Sequence, residues 1–403
     1  MRGSGFTMGK KITLIVLAIF IMSIFSFSAF GTTIEDEPIM EDAPIMEDTQ
    51  TVEDEQIIER ARVLEVELIE EEEDFEFFKE RYNVKLEILS GEYKGMQIET
   101  IHGITGNIGF DIIVEPGNKV LVTVEDEDGE IKVNISEYVR DNYIKLVSGL
   151  FVALLIIVGG IKGIKTVITL ALTIGLILKV LIPGLLAGYS PIILAILISI
   201  VITVVTILIV GGVNKKSYGA IIGVLVSVII AGFVAYVAGT KARLTGLSSE
   251  EAVMLMYIPQ GIKFNYSGLL FAGIIMGALG GVMDVGMSIS SAIGEVKNAN
   301  PLLTTKDLIK SGMNVGRDIM GTMSNTLILA YTGSAIPLML LFSAYKEPYS
   351  RIINLDVIAT EIIRAFAGSI GLILCVPLTA VISGILISKD NPKEKGLEQE
   401  EIV

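Results

Sequence analysis

The run Pro191–Val213, PIILAILISIVITVVTILIVGGV, decides the fold class. It holds no Asp, Glu, Lys or Arg, and about 20 apolar residues in a row is what a helix needs to cross a hydrocarbon layer ~30 Å thick. Every backbone N–H and C=O in lipid must find its partner inside the segment, so such a run is read as a helix. Outward from it, comparable runs lie at about Tyr143–Ile161, Val167–Leu186, Tyr218–Gly239, Tyr266–Ile289, Gly321–Phe342 and Glu361–Ile387. A further run, Ile12–Phe30, follows Arg2, Lys10 and Lys11 and reads as an export signal, either cleaved near Ala29-Phe30-Gly31 or retained as an anchor. The expectation is a polytopic α-helical membrane protein with about 8 transmembrane helices, counting the N-terminal run. Lys179, inside the second span of the body, is expected to snorkel or to face a cavity.

Composition agrees with that reading. Of 403 residues 51% are hydrophobic and 19% charged, which is too apolar for an ordinary soluble enzyme, yet the net charge is −15. Segregation resolves the conflict: residues 32–142 carry 32 Asp+Glu against 9 Lys+Arg, whereas the remainder has a positive excess. With the N-terminus inside, Arg2, Lys10, Lys11, Lys162, Lys165, Lys215, Lys216, Lys297, Lys306, Lys310, Arg317, Lys389, Lys393 and Lys395 face the cytoplasm. Lys241, Arg243, Lys263, Lys346, Arg351 and the acidic segment fall on the other side. The expected location is therefore a cytoplasmic (plasma) membrane, with residues 32–142 extracytoplasmic and the C-terminus cytoplasmic.

The acidic segment has two parts. Residues 32–59 contain a six-residue repeat, Glu35-Asp-Glu-Pro-Ile-Met40 and its variants, whose like charges and prolines fit a solvated linker. Residues 60–142 change character, with β-branched or alternating runs at Arg62–Ile69, Val84–Leu89, Met96–Ile101, Phe110–Val114, Lys119–Val124 and Ile131–Ile135. Asp128-Gly129 is a hairpin signal. About six short strands in some eighty residues fit a small OB-like barrel or a sandwich, and the acidic run from Glu70 to Glu80 reads as partly helical. The expected organisation is thus a signal or anchor at 1–31, a linker at 32–59, a β-rich domain at 60–142, a seven-helix body at 143–388 and a tail at 389–403.

Chemistry is constrained by what the chain lacks. Its one cysteine, Cys375, and its one histidine, His102, leave no zinc set of the usual kind and no His-paired nucleophile in the body. No phosphate-binding glycine loop is present. No enzyme activity, metal or cofactor is expected, nor is nucleic acid a partner. The expected partners are the lipid bilayer, a small solute or ion, and a membrane partner subunit.

The residues that invite a functional reading lie between Gly268 and Pro337. Gly273, Gly277, Gly280 and Gly281 have the spacing of a helix-packing face. Asp284 follows on the same helix, and a carboxylate inside a span is costly unless paired, protonated or hydrated. Ser291–Asp318 reads as a polar connector with a turn at Asn300-Pro301, a capping Thr and a short amphipathic helix. Arg317, Asp318, Thr322, Ser324 and Asn325 then enter the next span, where Asp318, Thr322 and Asn325 form a polar strip expected to meet Asp284. Pro337 and Pro377 permit kinks. Interhelical hydrogen bonding explains the strip as well as a solute path does.

Gly280-Gly-Val-Met-Asp-Val-Gly-Met-Ser288, Asn300-Pro301 and Ser311-Gly-Met-Asn-Val-Gly-Arg-Asp-Ile-Met-Gly-Thr-Met-Ser-Asn-Thr326 resemble the YibE/F family of bacterial multispanning membrane proteins, over roughly residues 140 to 388. The resemblance implies an exported β-rich region ahead of a helical body and supplies no catalytic residues. The leading functional expectation is a transporter or permease-like protein. The competing one is a non-transporting assembly or sensing protein whose acidic domain binds an envelope partner.

Overall fold

The computed structural model describes residues 57–69, 78–127, 130–258 and 262–389. The N-terminal run, the repeat through residue 56, the acidic stretch 70–77, the Asp128-Gly129 turn and residues 390–403 lie outside the described residues. The described chain falls into two compact units parted at Leu154/Leu155.

The first unit is one curled antiparallel sheet of five strands, β1 (Ile57–Leu68), β2 (Glu80–Ile88), β3 (Gln97–Ile104), β4 (Lys119–Glu127) and β5 (Glu130–Tyr138), in the order β3-β2-β1-β4-β5. Alternation at period two puts Ala61 and Val63, Val84, Leu86 and Ile88, and Val120, Val122 and Val124 on one buried face. Register shifts at Val63/Glu65 and Leu121/Val122 bend the sheet. The two edge strands are thereby drawn together: Thr100 Oγ1 on β3 donates to the Val133 carbonyl on β5 at 2.5 Å. Glu127 pairs opposite Glu130, so two residues connect β4 to β5, as the Asp-Gly signal requires.

Two strand expectations are corrected. β1 begins at Ile57, so residues 57–59 belong to the sheet and not to the linker. Phe110–Val114 is not a strand. Its backbone is claimed by side chains: Tyr138 Oη donates to the Ile113 carbonyl at 2.5 Å, and His102 Nε2 lies 2.7 Å from the Ile112 carbonyl, which makes that nitrogen the donor. Asp111 is occupied in accepting from the amide and hydroxyl of Thr105 at 2.7 and 2.8 Å. His102 is therefore a strand residue that pins a loop.

The second unit is helical, and its first helix begins before the boundary, at Asp141. Its elements are α1 (Asp141–Leu176), α2 (Ile182–Leu186), α3 (Pro191–Gly211), α4 (Lys215–Lys241), α5 (Glu250–Met254), α6 (Tyr266–Ala299), α7 (Thr305–Ser334), α8 (Ile336–Ala344), α9 (Tyr349–Ile352) and α10 (Asp356–Ser388). Among the described residues five helical segments are long and apolar enough to cross a membrane, or six if α7 and α8, bent by 58°, are taken together. The stretch from Asp141 to Leu186 is broken at Gly160, which has φ 54° and ψ −131°, a conformation open to glycine alone among common residues. The chain turns so sharply there that a Cβ on Gly163 would overlap the Leu155 carbonyl. Between α1 and α2 the residues Ile177–Leu181 form a π turn in which the Ile182 N–H bonds the Ile177 carbonyl. Pro183 has no N–H to give the Lys179 carbonyl, and the wider turn accommodates that loss. Lys179 is exposed on this turn.

Small residues set the packing at the centre. On α4, Gly219, Gly223, Ser227, Ala231, Ala235 and Gly239 recur every four residues, and on α10 so do Ala367, Gly371, Cys375, Thr379 and Ser383. The two series face each other: a Cβ on Gly223 would come within 2.9 Å of Thr379 Cα, and one on Gly371 within 2.6 Å of Ala231 Cβ. Both α6 and α7 pack directly on α10, and Ala272, Ile275, Leu279, Val282, Val285, Ile289 and Ile293 of α6 are buried in the main apolar cluster. Ser383 Oγ donates to Ser290 Oγ at 2.9 Å and Ser290 Oγ to the Lys216 carbonyl at 2.6 Å, tying α10, α6 and α4 together.

The connector expected at Ser291–Asp318 is mostly helix. α6 runs on to Ala299, α7 starts at Thr305, and only residues 300–304 separate them. The capping Thr is real: Thr304 Oγ1 accepts from the Asp307 N–H while the Asp307 carboxylate accepts from the Thr304 N–H at 3.1 Å. Pro337 stands just after the bend, at the start of α8, whereas α10 continues through Pro377.

A polar seam on the outer faces of α6 and α7

Gly281 and Gly316 fix how α6 and α7 meet. A Cβ on Gly281 would touch Leu327, and one on Gly316 would touch Ile289, so the helices run antiparallel with Asp284 at about the height of Thr322–Asn325. Asp284 is one turn beyond Gly281 and rotated about 60° from it, away from the buried Val282 and Val285 that face the core. It is exposed, in line with exposed Gly273, Gly277, Gly280 and Ser288. Across the groove, Ile328 and Thr332 line the side of α7 towards α10, so Thr322 and Thr326 occupy the flank nearer Asp284.

The six residues of the expected strip are therefore divided. Asp284 and Thr322 open onto the same flank. Arg317 and Asn325 are exposed on parts of α7 that point away from that flank, and Asp318, one turn before Thr322, is exposed between the two. The Ser324 hydroxyl is buried and has no hydrogen-bond partner. Among the described residues no ion pair or hydrogen bond joins Asp284 to Arg317, Asp318 or Asn325, because a helix face spans too little arc to aim all of them at one point. Nor does any group of three His, Cys, Asp or Glu among the described residues have a metal-binding arrangement.

The glycine face is corrected in the same way. Gly281 packs against Leu327 and Leu372, and Gly277 against the Tyr331 hydroxyl, but a Cβ on Gly273 or Gly280 would meet nothing within 4 Å. Among the described residues those two glycines meet no neighbouring helix.

The outward composition separates α6 from its neighbours. Ile193, Leu197 and Val201 on α3, Ile222, Ile229 and Phe233 on α4, and Ile362, Phe366 and Ile370 on α10 are exposed large apolar residues. α6 exposes none, and α7 only Leu329.

Sequence reasoning overlooked a second feature. A cleft of about 290 Å³ between α7, α8 and α10 is lined by Tyr331, Thr332, Met339, Glu361 and Phe366 among others. Glu361 pairs with Arg364 at 3.3 Å, one turn on. An acid followed at i+3 by a base in an otherwise apolar run was the available signal.

Long apolar helices that turn bulky apolar side chains outward and pack through glycines are the build of a helical membrane protein, and a curled β-sheet unit precedes them in the sequence. Residues 147–389 match the YibE/F-like protein family and residues 56–138 the YibE/F family N-terminal domain, and the chain belongs to that family. No curated protein and no solved structure matches it.

Proposed function

We propose that the helical body is a permease-like protein for a small polar solute or ion, with the open face of α6 as one wall of its path. One observation carries this reading: α6 presents Gly273, Gly277, Gly280, Asp284 and Ser288 outward and no large apolar side chain. Lipid chains favour bulky apolar neighbours, and a bare carboxylate in a span is costly, so such a face suits a hydrated route. Thr322 and Thr326 supply the opposite flank, while Arg317, Asp318 and Asn325 stand outside this narrower path.

The topology that goes with it has eight spans. The break at Gly160 supports two spans where length alone gives one, and α7 with α8 supports a single broken span, which makes seven in the body in addition to Ile12–Phe30. Lys162, Lys215, Lys216, Lys297, Lys306 and Lys310 then share the cytoplasmic side, and the sheet, read as an OB-like barrel, lies outside. Flux of candidate ions and small solutes into vesicles containing the full chain tests the reading. Asp284→Asn should reduce flux at least tenfold, and unchanged flux in that variant ends the proposal. If no solute moves while the exported unit captures an envelope protein, the assembly or sensing role takes its place.

A further inference from the structure

As far as Asn325, the side of α7 that points away from α6 has no partner among the described residues, and its residues are ill suited to lipid. Asn314, Gly321 and Asn325 are all exposed and, at about 100° per residue, fall within roughly 20° of one line along the helix, whereas Thr332 further along lines the cleft against α10. A Cβ on Gly321 would meet nothing within 4 Å. Relative to that line Arg317 sits at about −60° and Asp318 at about +40°, one on each side. Both are exposed, and neither forms an ion pair among the described residues.

We infer that this seam is the contact between two copies of the chain. Two copies in one membrane share an orientation, so a two-fold axis along the membrane normal sets α7 beside its mate in parallel. That operation brings the left side of one seam against the right side of the other, so Arg317 meets the partner subunit's Asp318, and the pair is made twice. The seam itself is built of small and amide residues, which allow close approach and hydrogen bonds between copies. An anchor such as Ile12–Phe30, apolar throughout, offers no charge for either Arg317 or Asp318, whereas a second copy offers both. The inference shares with the permease reading only the premise that α7 is not lipid-facing, and it places the dimer seam on the opposite flank from Asp284.

The test uses the full chain in lipid nanodiscs and vesicles, with mass and subunit counting. A dimer is expected. With Cys375, which is fully buried, replaced by Ser, Asn325→Cys should form a disulfide dimer on oxidation. Phe366→Cys, on the exposed face of α10, should not. Arg317→Asp should weaken dimerisation by about tenfold or more, and Arg317→Asp combined with Asp318→Arg should restore it, because the reversed charges still face each other across the two-fold. Restoration also shows that the single variant had not simply misfolded. A monomer, a dimer that links through Phe366→Cys in place of Asn325→Cys, or a double reversal that fails to recover overturns the inference. Flux that ignores Asp284 in a protein that still dimerises sinks the permease reading alone.

Discussion

The crossing of α4 and α10 makes the sharpest demand on side-chain size, and Gly223→Val measures it. A Cβ at Gly223 would stand 2.9 Å from both Thr379 Cα and Thr379 Cβ, with the hydroxyl nearer still. Relaxing that contact to an ordinary ~3.6 Å requires the helices to part by about 0.7 Å. A gap of that size forfeits roughly a quarter to a half of each neighbouring dispersion contact along the ladder that includes Gly219 against Ser383 and Gly371 against Ala231. Overpacking of this kind costs about 1–3 kcal/mol, and the better helix propensity of valine returns only a few tenths. The second γ-carbon of valine places the expected net loss near the upper end, about 2–3 kcal/mol. Gly175→Val on α1, where a Cβ would meet nothing within 4 Å, is the control and should change stability by less than about 0.5 kcal/mol. Reversible unfolding of both variants in mixed micelles, followed by helical circular dichroism, gives the difference. Equal stabilities would refute the close crossing, and with it the arrangement of α6 and α7 that is built upon it.

Two further outcomes follow from local chemistry. Burial opposes ionisation of Asp111, but hydrogen bonds from the Thr105 amide and hydroxyl, Gly106 and Asn107 outweigh it and hold the carboxyl below its ordinary range. Its contribution is therefore complete above the unfolded value near 4 and lost as pH falls through the lower folded value; protection of the Thr105 amide relative to its intrinsic exchange rate should fall only on that acid side, and show no such step in Asp111→Asn. Thr304→Ala removes the hydroxyl half of the cap on α7 and should cost about 1 kcal/mol, seen as roughly fivefold faster exchange at the Asp307 amide with exchange at the helix centre unchanged.

How much was legible in the sequence depended on the range of the interaction. Alternation at period two located β2, β4 and β5 to within a few residues, because a strand half buried must alternate. The same signal misled at Phe110–Val114, where alternation was present but the carbonyls had been taken by His102 and Tyr138 from other strands. In the helical unit the long apolar runs were unmistakable. The polar stretch after Ser291 was not, since charged residues that continue a helix beyond the apolar layer read as a loop until Lys297 and the Asn300 cap are seen in place. The four-residue ladders on α4 and α10 were open to inspection yet carried no label telling which glycines would be covered: Gly223 is, Gly273 is not.

By itself the sequence determined which segments are apolar enough for lipid, which connecting segments are rich in lysine, and that the acidic segment is chemically separate from the apolar body. Those are sums over neighbouring residues, and neighbours are known from order alone. Only the tertiary structure decided which face of each helix is covered, because that depends on the crossing angles and the close approaches that small residues permit. Hence Asp284 and Thr322 share a flank while Arg317 and Asn325 turn away from it, although these three α7 residues lie within nine positions of one another.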